Sequence, residues 1–187
     1  FHMFAETYEP TWTEEEILQH QKDIETKWNI PEEYSLTKPI RRFIRFYNEF
    51  IDPAVKAGAK YHREIQFDFD LDSSRFTGKL DVLLEYPNGA YHIIDYKTGK
   101  STNTSYYTDQ MFLYAWALHK QYNVPVMDMM DKIKISVFFG FADPDKEDPL
   151  KVFKAIKFTQ EHLQQNKDHY SNLINELENT NWEPEAT

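Results

Sequence analysis

Apolar residues near the N-terminus recur every three to four positions, the spacing of helices that bury one face. Phe1, Phe4 and Tyr8 predict a short first helix, whose abrupt start suggests a domain excised from a longer protein. Thr13, followed by glutamates, predicts the cap of a second helix. A third, amphipathic helix is predicted to end near residues 52–53. Its apolar stripe comprises Ile40, Phe43, Ile44, Tyr47, Phe50 and Ile51.

The period then changes from helical spacing to strict alternation, which is typical of strands with one buried face. Residues 64–71 alternate apolar and polar side chains, and residues 75–86 predict a second strand. The Pro-Asn-Gly sequence at 87–89 has the composition of a tight turn. Residues 76–97 are therefore predicted to form a hairpin.

The C-terminal half returns to a helix, then two strands and a last helix. Residues 104–122 have helical spacing, residues 132–142 and 151–159 predict strands, and Thr159 is predicted to cap the last helix. The apolar stripe of that helix is predicted to comprise Leu163, Tyr170, Leu173, Ile174 and Leu177. This order predicts an α/β fold with a central mixed β-sheet flanked by helices, in one domain spanning 1–187 with its core at 62–160.

Composition limits the classes of function. With 41% hydrophobic residues the chain should fold, and no apolar stretch approaches the roughly 20 residues of a membrane span, so we expect an intracellular, cytoplasmic protein without a membrane partner. The absence of cysteine excludes disulfides, thiolate zinc sites and iron–sulfur clusters built from this chain. A net charge of −10 argues against nucleic-acid binding by bulk attraction, so any such binding needs metal ions, a local basic patch or a larger parent protein.

The stretch YHIIDYKTGKS at 91–101 is open to two chemical interpretations. Its Gly-Lys-Ser ending matches the end of a phosphate-binding loop, but that loop needs a glycine where Ile94 stands in mid-strand. The alternative is an Asp-x-Lys pair at the end of the strand. Asp95 and Lys97 are two residues apart, so on a strand their side chains share one face.

The hairpin brings a second acid to this pair. The turn at 88–89 lies about midway between Asp81 and Asp95, so the two carboxylates should lie roughly opposite each other. Facing carboxylates repel unless a cation separates them, and oxygen ligands suit a divalent metal such as Mg²⁺, with the Tyr96 carbonyl as a further ligand. A metal so placed promotes phosphodiester hydrolysis, with Lys97 orienting the attacking water. The simpler alternative is a surface ion pair.

Further residues extend this candidate site. Gln110 and Tyr114 lie one turn apart on the following helix. They are candidates for contacting a phosphate or a base, and the alternative is that they pack at the edge of the core. Basic residues near the site, or on the third helix, are candidates for contacting nucleic-acid phosphates, with a solvated helix face as the alternative for the arginines. They are Lys79, Lys100, Arg41, Arg42 and Arg45.

Three motifs in this order resemble the RecB-like branch of the PD-(D/E)xK nuclease superfamily. They are Gly78 to Asp81, the Asp-Tyr-Lys-Thr-Gly sequence ending at Gly99, and Gln110 to Tyr114. The resemblance implies a restriction-endonuclease-like core and a Mg²⁺- or Mn²⁺-dependent deoxyribonuclease acting in recombination, repair or phage DNA processing.

The resemblance also implies a site. The expected catalytic residues are Asp81, Asp95, Lys97, Gln110 and Tyr114, and the metal ligands are His2, Asp81, Asp95 and the Tyr96 carbonyl. The family's upstream histidine matches His2 best, with His62 as the rival, although His2 is open to being a cloning remnant. Expected partners are DNA and a larger parent protein or helicase subunit. The alternative is an inactive nuclease-fold module that binds DNA or acts as a scaffold.

Overall fold

The computed structural model describes residues 1–72, 74–142 and 152–179, and its N-terminal helices form where the spacing predicts them. They are α1 (His2–Thr7), α2 (Glu14–Lys27) and α3 (Thr37–Phe46). Thr13 caps α2 reciprocally with Glu16. The Glu16 amide donates to Thr13 Oγ1 at 3.2 Å, and the Thr13 amide donates to Glu16 Oε2 at 2.7 Å.

The predicted end of the third helix near residues 52–53 is wrong. A π-helical turn, Tyr47–Ile51, follows α3, and helix α4 (Asp52–Lys56) continues from it. Pro53 lies in the first turn of α4, where its missing amide hydrogen removes no helical hydrogen bond. The proline therefore permits a restart of the helix where a stop was expected.

In the part of the chain that the structure describes, five strands form one mixed sheet in the order β1-β2-β3-β4-β5. The bounds are β1 (Lys60–Leu71), β2 (Ser74–Glu85), β3 (Tyr91–Lys97), β4 (Ile133–Phe139) and β5 (Phe153–Ala155). Only β3 and β4 pair in parallel, and the other neighbours are antiparallel. The predicted β2–β3 hairpin is confirmed, and Gly89 in its turn has a φ of +78°, which glycine adopts without strain.

Helices cover both faces of the sheet, which confirms the predicted α/β class. Phe46 of α3 stacks on Phe138 of β4 at 4.6 Å between ring centroids, on the face that also buries Tyr96. Helix α5 (Thr108–Gln121) covers the other face, where Tyr114 packs against Phe67 of β1 at 5.4 Å. The short α6 (Met129–Lys132) leads into β4.

The last helix, α7 (Gln160–Asn179), starts as predicted but packs less than expected. Thr159 Oγ1 accepts a hydrogen bond from the His162 amide at 3.2 Å, and Leu163 is buried. The predicted apolar stripe is wrong at its end, since Leu173 is 40% exposed and Leu177 is 51% exposed. The contacts that hold α7 include Asn166 with the Asp109 carbonyl at 3.1 Å, Tyr170 with the Phe76 ring at 5.5 Å between ring centroids, and Ser171, which donates to Asp72 at 3.0 Å.

No helix within the three described ranges is both long enough and apolar enough to cross a membrane.

Candidate active site

The C-terminal end of β3 places Asp95 and Lys97 on the sheet face that α5 covers. Lys97 Nζ lies 2.7 Å from Asp95 Oδ2 and donates a hydrogen bond to Gln110 Oε1 at 2.9 Å. The ammonium also lies 4.8 Å from the centre of the Tyr107 ring. The alternation of the strand therefore brings the acid and the lysine together, and α5 supplies the side chain that holds the lysine.

Strands β2 and β3 separate just where Asp81 stands. The last paired residues of the hairpin are Val82 and Ile94, so Asp81 faces Asp95 one step beyond the ladder. Asp81 Oδ2 accepts a hydrogen bond from the Tyr96 amide at 2.6 Å. The Tyr96 amide has no backbone acceptor on β2, so it donates to the Asp81 carboxylate instead. This hydrogen bond holds the Asp81 side chain in the fork between the two strands.

His2 reaches the same fork from α1. Its Nε2 lies 3.0 Å from the Tyr96 carbonyl oxygen and 3.6 Å from Asp81 Oδ2. The contact with Asp81 raises the pKa of His2 above its ordinary value, although burial acts in the opposite direction. The rival, His62, lies instead beside Glu85 at 3.1 Å. The structure therefore brings His2, and not His62, together with Asp81 and the Tyr96 carbonyl.

The surroundings of Asp95 raise the pKa of its carboxyl group. It is 4% exposed, and burial first, then the charge of Asp81, raises its pKa from 3.8 to about 6, although Lys97 acts in the opposite direction. Its Oδ2 atom accepts no hydrogen bond from the described residues, and the Lys97 ammonium at 2.7 Å is an ion-pair contact. The ionised carboxylate is therefore incompletely compensated.

Tyr114 lies behind the acids. It is 5% exposed, and burial, with the charges of Asp95 and Asp81, raises the pKa of its phenol well above the ordinary value. The phenol is therefore neutral at physiological pH and keeps its hydrogen as a donor.

The donor set suits a divalent metal ion. In the described part of the chain no three His, Cys, Asp or Glu side chains already stand in a geometry that would hold a metal. The atoms gathered at the fork are nevertheless oxygens and one imidazole nitrogen, the ligands that Mg²⁺ and Mn²⁺ accept. A divalent cation would also add to the partial compensation that Lys97 gives the buried Asp95 carboxylate, whose Oδ2 atom accepts no hydrogen bond from the described residues.

Gly78 supports the site in a way that the sequence pattern does not reveal. A Cβ atom at Gly78 would overlap the Phe67 ring, because that ring crosses β2 at this point. The same ring packs on Tyr114 of α5. The glycine of the first motif thus allows the contact that holds α5 against the sheet, and a glycine inside a strand is the one signal that could have indicated it.

The basic residues proposed as phosphate contacts lie in different surroundings. Lys79 pairs with Glu64, whose φ of +55° interrupts the β1–β2 ladder across from Asp81. Lys100 is exposed just beyond β3.

The arginines of α3 have partners within the protein. Arg41 and Arg45 lie 2.8 Å from Glu14 and Glu49, respectively. Arg42 donates to the carbonyl oxygens of Gly140, at 3.2 Å, and Ala142. Contact of these residues with nucleic acid stays a prediction.

Comparison with known proteins gives one family. The family model described as the PD-(D/E)XK nuclease superfamily matches residues 2–187. No curated protein matches the chain. A solved structure titled "Crystal structure of SSO0001" is 12% identical over 82% of this chain and 70% of its own, with a TM-score of 0.33, a likeness too distant to inform function.

Proposed function

The chain belongs to the PD-(D/E)XK nuclease superfamily, and on that premise we propose that it is a Mg²⁺- or Mn²⁺-dependent deoxyribonuclease. The observation that carries the proposal is the set of contacts at the end of β3. Lys97 is held between Asp95 and Gln110, next to a fork that gathers Asp81, His2 and the Tyr96 carbonyl.

His2, Asp81, Asp95 and the Tyr96 carbonyl are the residues that would hold the metal ion. When bound, the ion lowers the pKa of a coordinated water and offsets the charge that develops on the phosphate. Tyr96 contributes because the amide and carbonyl of one strand residue point to the same side, here toward the fork. Its amide orients Asp81 while its carbonyl faces His2.

Lys97 acts on the attacking water. An ammonium group has three donors; Lys97 Nζ uses one of them on Gln110 and has Asp95 beside it as an ion-pair partner. Donor capacity remains for a water or a phosphate oxygen, and the side chain is 18% exposed, so it is within reach of substrate. The two protein contacts keep the ammonium in place, so little order has to be gained on substrate binding.

Gln110 and Tyr114 have separate roles in this proposal. Gln110 is a positioning residue, since it acts through Lys97. Tyr114, buried against Phe67, keeps α5 in register with the sheet and presents a neutral phenol toward the two acids.

The order of the three motifs supports DNA as the substrate, and recombination, repair or phage DNA processing as the setting, with a larger parent protein or helicase subunit as partner. The proposed localisation is the cytoplasm of a bacterial or phage-infected cell.

The test is cleavage of DNA by the purified protein in Mn²⁺ or Mg²⁺. The parent should cut, and Asp95→Ala and Lys97→Ala should not. Asp70→Ala and Lys22→Ala remove the same charges from exposed positions outside the site and should cut like the parent. If Asp95→Ala and Lys97→Ala cut as well as the parent, the assigned site is wrong. A parent that neither cuts DNA nor binds Mn²⁺ by calorimetry is an inactive module.

A further inference from the structure

A positively charged cleft lies beside the candidate active site. It has a volume of about 320 Å³ and is formed by the turn before α3, by α3 itself, and by the segments that follow β3 and β4. Three cationic side chains line it, together with one carboxylate, Glu33. The cations are Lys38, Arg42 and Lys100. The chain as a whole has a net charge of −10, so the positive charge of the cleft is opposite in sign to that of the protein.

The segments that line the cleft are joined directly to those that carry the site. Lys100 comes three residues after Lys97, and the Gly140 amide donates to the Lys97 carbonyl at 3.2 Å. Phe1, next to His2 in the chain, packs on Phe141 of the cleft at 5.8 Å between ring centroids. The cleft therefore borders the C-terminal ends of β3 and β4, the edge of the sheet at which Asp95 and Lys97 stand.

Two of the three cations are available to a ligand. Lys38 and Lys100 are exposed, and neither side chain has an ion pair or hydrogen bond with any described residue. Arg42 is already engaged, because its guanidinium donates to the carbonyls of Gly140 and Ala142, so it shapes the floor of the cleft.

An aromatic ring stands at the mouth. Tyr34 ends a short 3₁₀ turn, Glu32–Tyr34, and is 64% exposed. An exposed ring beside unpaired cations is the combination by which proteins bind single-stranded nucleic acid, with bases stacked on the ring and phosphates on the cations.

We propose that this cleft binds one unstacked nucleotide of a single-stranded DNA next to the cleaved phosphate. The base stacks on Tyr34, and Lys38 and Lys100 contact the flanking phosphates. In a duplex the base faces are covered by their neighbours, so Tyr34 would have no face to stack on. The inference rests on the proposed nuclease function and adds strandedness to it.

The test is binding of fluorescent oligo(dT), measured by anisotropy in EDTA so that metal-dependent cleavage does not interfere. Tyr34→Ala should weaken binding about tenfold, and Tyr34→Phe, which keeps the ring, should not. The double variant Lys38→Ala/Lys100→Ala should reduce the dependence of log K on log salt by about 1.4, the effect of two lost phosphate contacts on a single strand. Lys22→Ala/Lys157→Ala is the matched control, since both lysines are exposed and lie elsewhere.

The outcomes separate this inference from the proposed function. A parent that cuts DNA, with cleft variants that bind oligo(dT) as the parent does, overturns the cleft and leaves the nuclease intact. If the cleft variants lose as much affinity for a duplex of the same length as for oligo(dT), the single-strand assignment is wrong. It is also wrong if the parent does not bind oligo(dT). Cleft-dependent binding by a parent that cuts nothing in Mn²⁺ or Mg²⁺ supports the cleft and rejects the nuclease proposal.

Discussion

The buried carboxyl of Asp95 leads to an unusual expectation: Asp95→Asn should stabilise the metal-free protein near pH 8 while it abolishes cleavage. Burial and the neighbouring Asp81 raise the pKa of Asp95 from 3.8 to about 6. Above that pH the folded protein carries a buried negative charge that the Lys97 ammonium compensates only in part. Asparagine has nearly the same shape and no charge.

The size and sign follow from linkage between protonation and folding. The folded protein holds the Asp95 proton more tightly than the unfolded chain, so its contribution to stability is fully present below pH 3.8 and is lost as the pH rises through 6. The rise from 3.8 to about 6 corresponds to about 3 kcal/mol at about 1.4 kcal/mol per pH unit. The variant should therefore gain up to about 3 kcal/mol over the parent above pH 7 and little at pH 3.5.

The assay is urea unfolding of parent and variant in EDTA across this pH range. Asp70→Asn, an exposed acid on β1, serves as the control and should shift stability little at any pH. Added Mn²⁺ at 100 times its dissociation constant should stabilise the parent by about 2.7 kcal/mol and the Asp95→Asn variant by much less. A variant less stable than the parent at pH 8, or a difference that does not change with pH, would refute the reasoning.

Three further predictions concern packing and positioning. Gly78→Ala should cost about 1–3 kcal/mol of stability in urea unfolding, because the new methyl group meets the Phe67 ring; an unchanged transition would contradict that clash. Gln110→Ala should lower kcat for DNA cleavage about tenfold with KM unchanged, since a hydrogen bond to a charged group contributes about 1.5 kcal/mol and this one acts only through Lys97; a change confined to KM would instead indicate substrate contact. Thr13→Ala should cost about 1 kcal/mol by removing the α2 cap and leave cleavage rates unchanged, which also shows whether lost stability alone affects activity.

The local geometry of the site could be read from the sequence because it depends on short-range rules. Asp95 and Lys97 share a face because strand side chains alternate, and Asp81 lies opposite because the turn at 88–89 sets the register of the hairpin. Both relations hold whatever the rest of the fold does, so the pattern alone predicts them.

The position of His2 could not be derived in that way. Its contact with the Tyr96 carbonyl joins residues 94 positions apart, and nothing local distinguishes it from His62. Only the packing of α1 on the sheet, with Phe4 and Phe43 buried beneath it, places the imidazole at the fork. The close approach of Phe67 to Gly78 also depends on packing between elements.

Two errors have local causes. Pro53 was expected to end a helix, but a π turn shifts the register so that the proline falls in a first turn, where it is tolerated. The apolar stripe of α7 was expected to be buried to Leu177, whereas Leu173 and Leu177 are exposed beyond the point where Tyr170 packs on Phe76 of β2. A hydrophobic period predicts the type of an element better than the length over which a partner covers it.

The most direct measurement is a crystal structure of the protein with Mn²⁺, in which anomalous scattering locates the ion. The account predicts one ion at the fork, coordinated by His2 Nε2, carboxylate oxygens of Asp81 and Asp95, and the carbonyl oxygen of Tyr96. Crystals in which Mn²⁺ leaves the fork empty, or binds without Asp81 and Asp95, would contradict it.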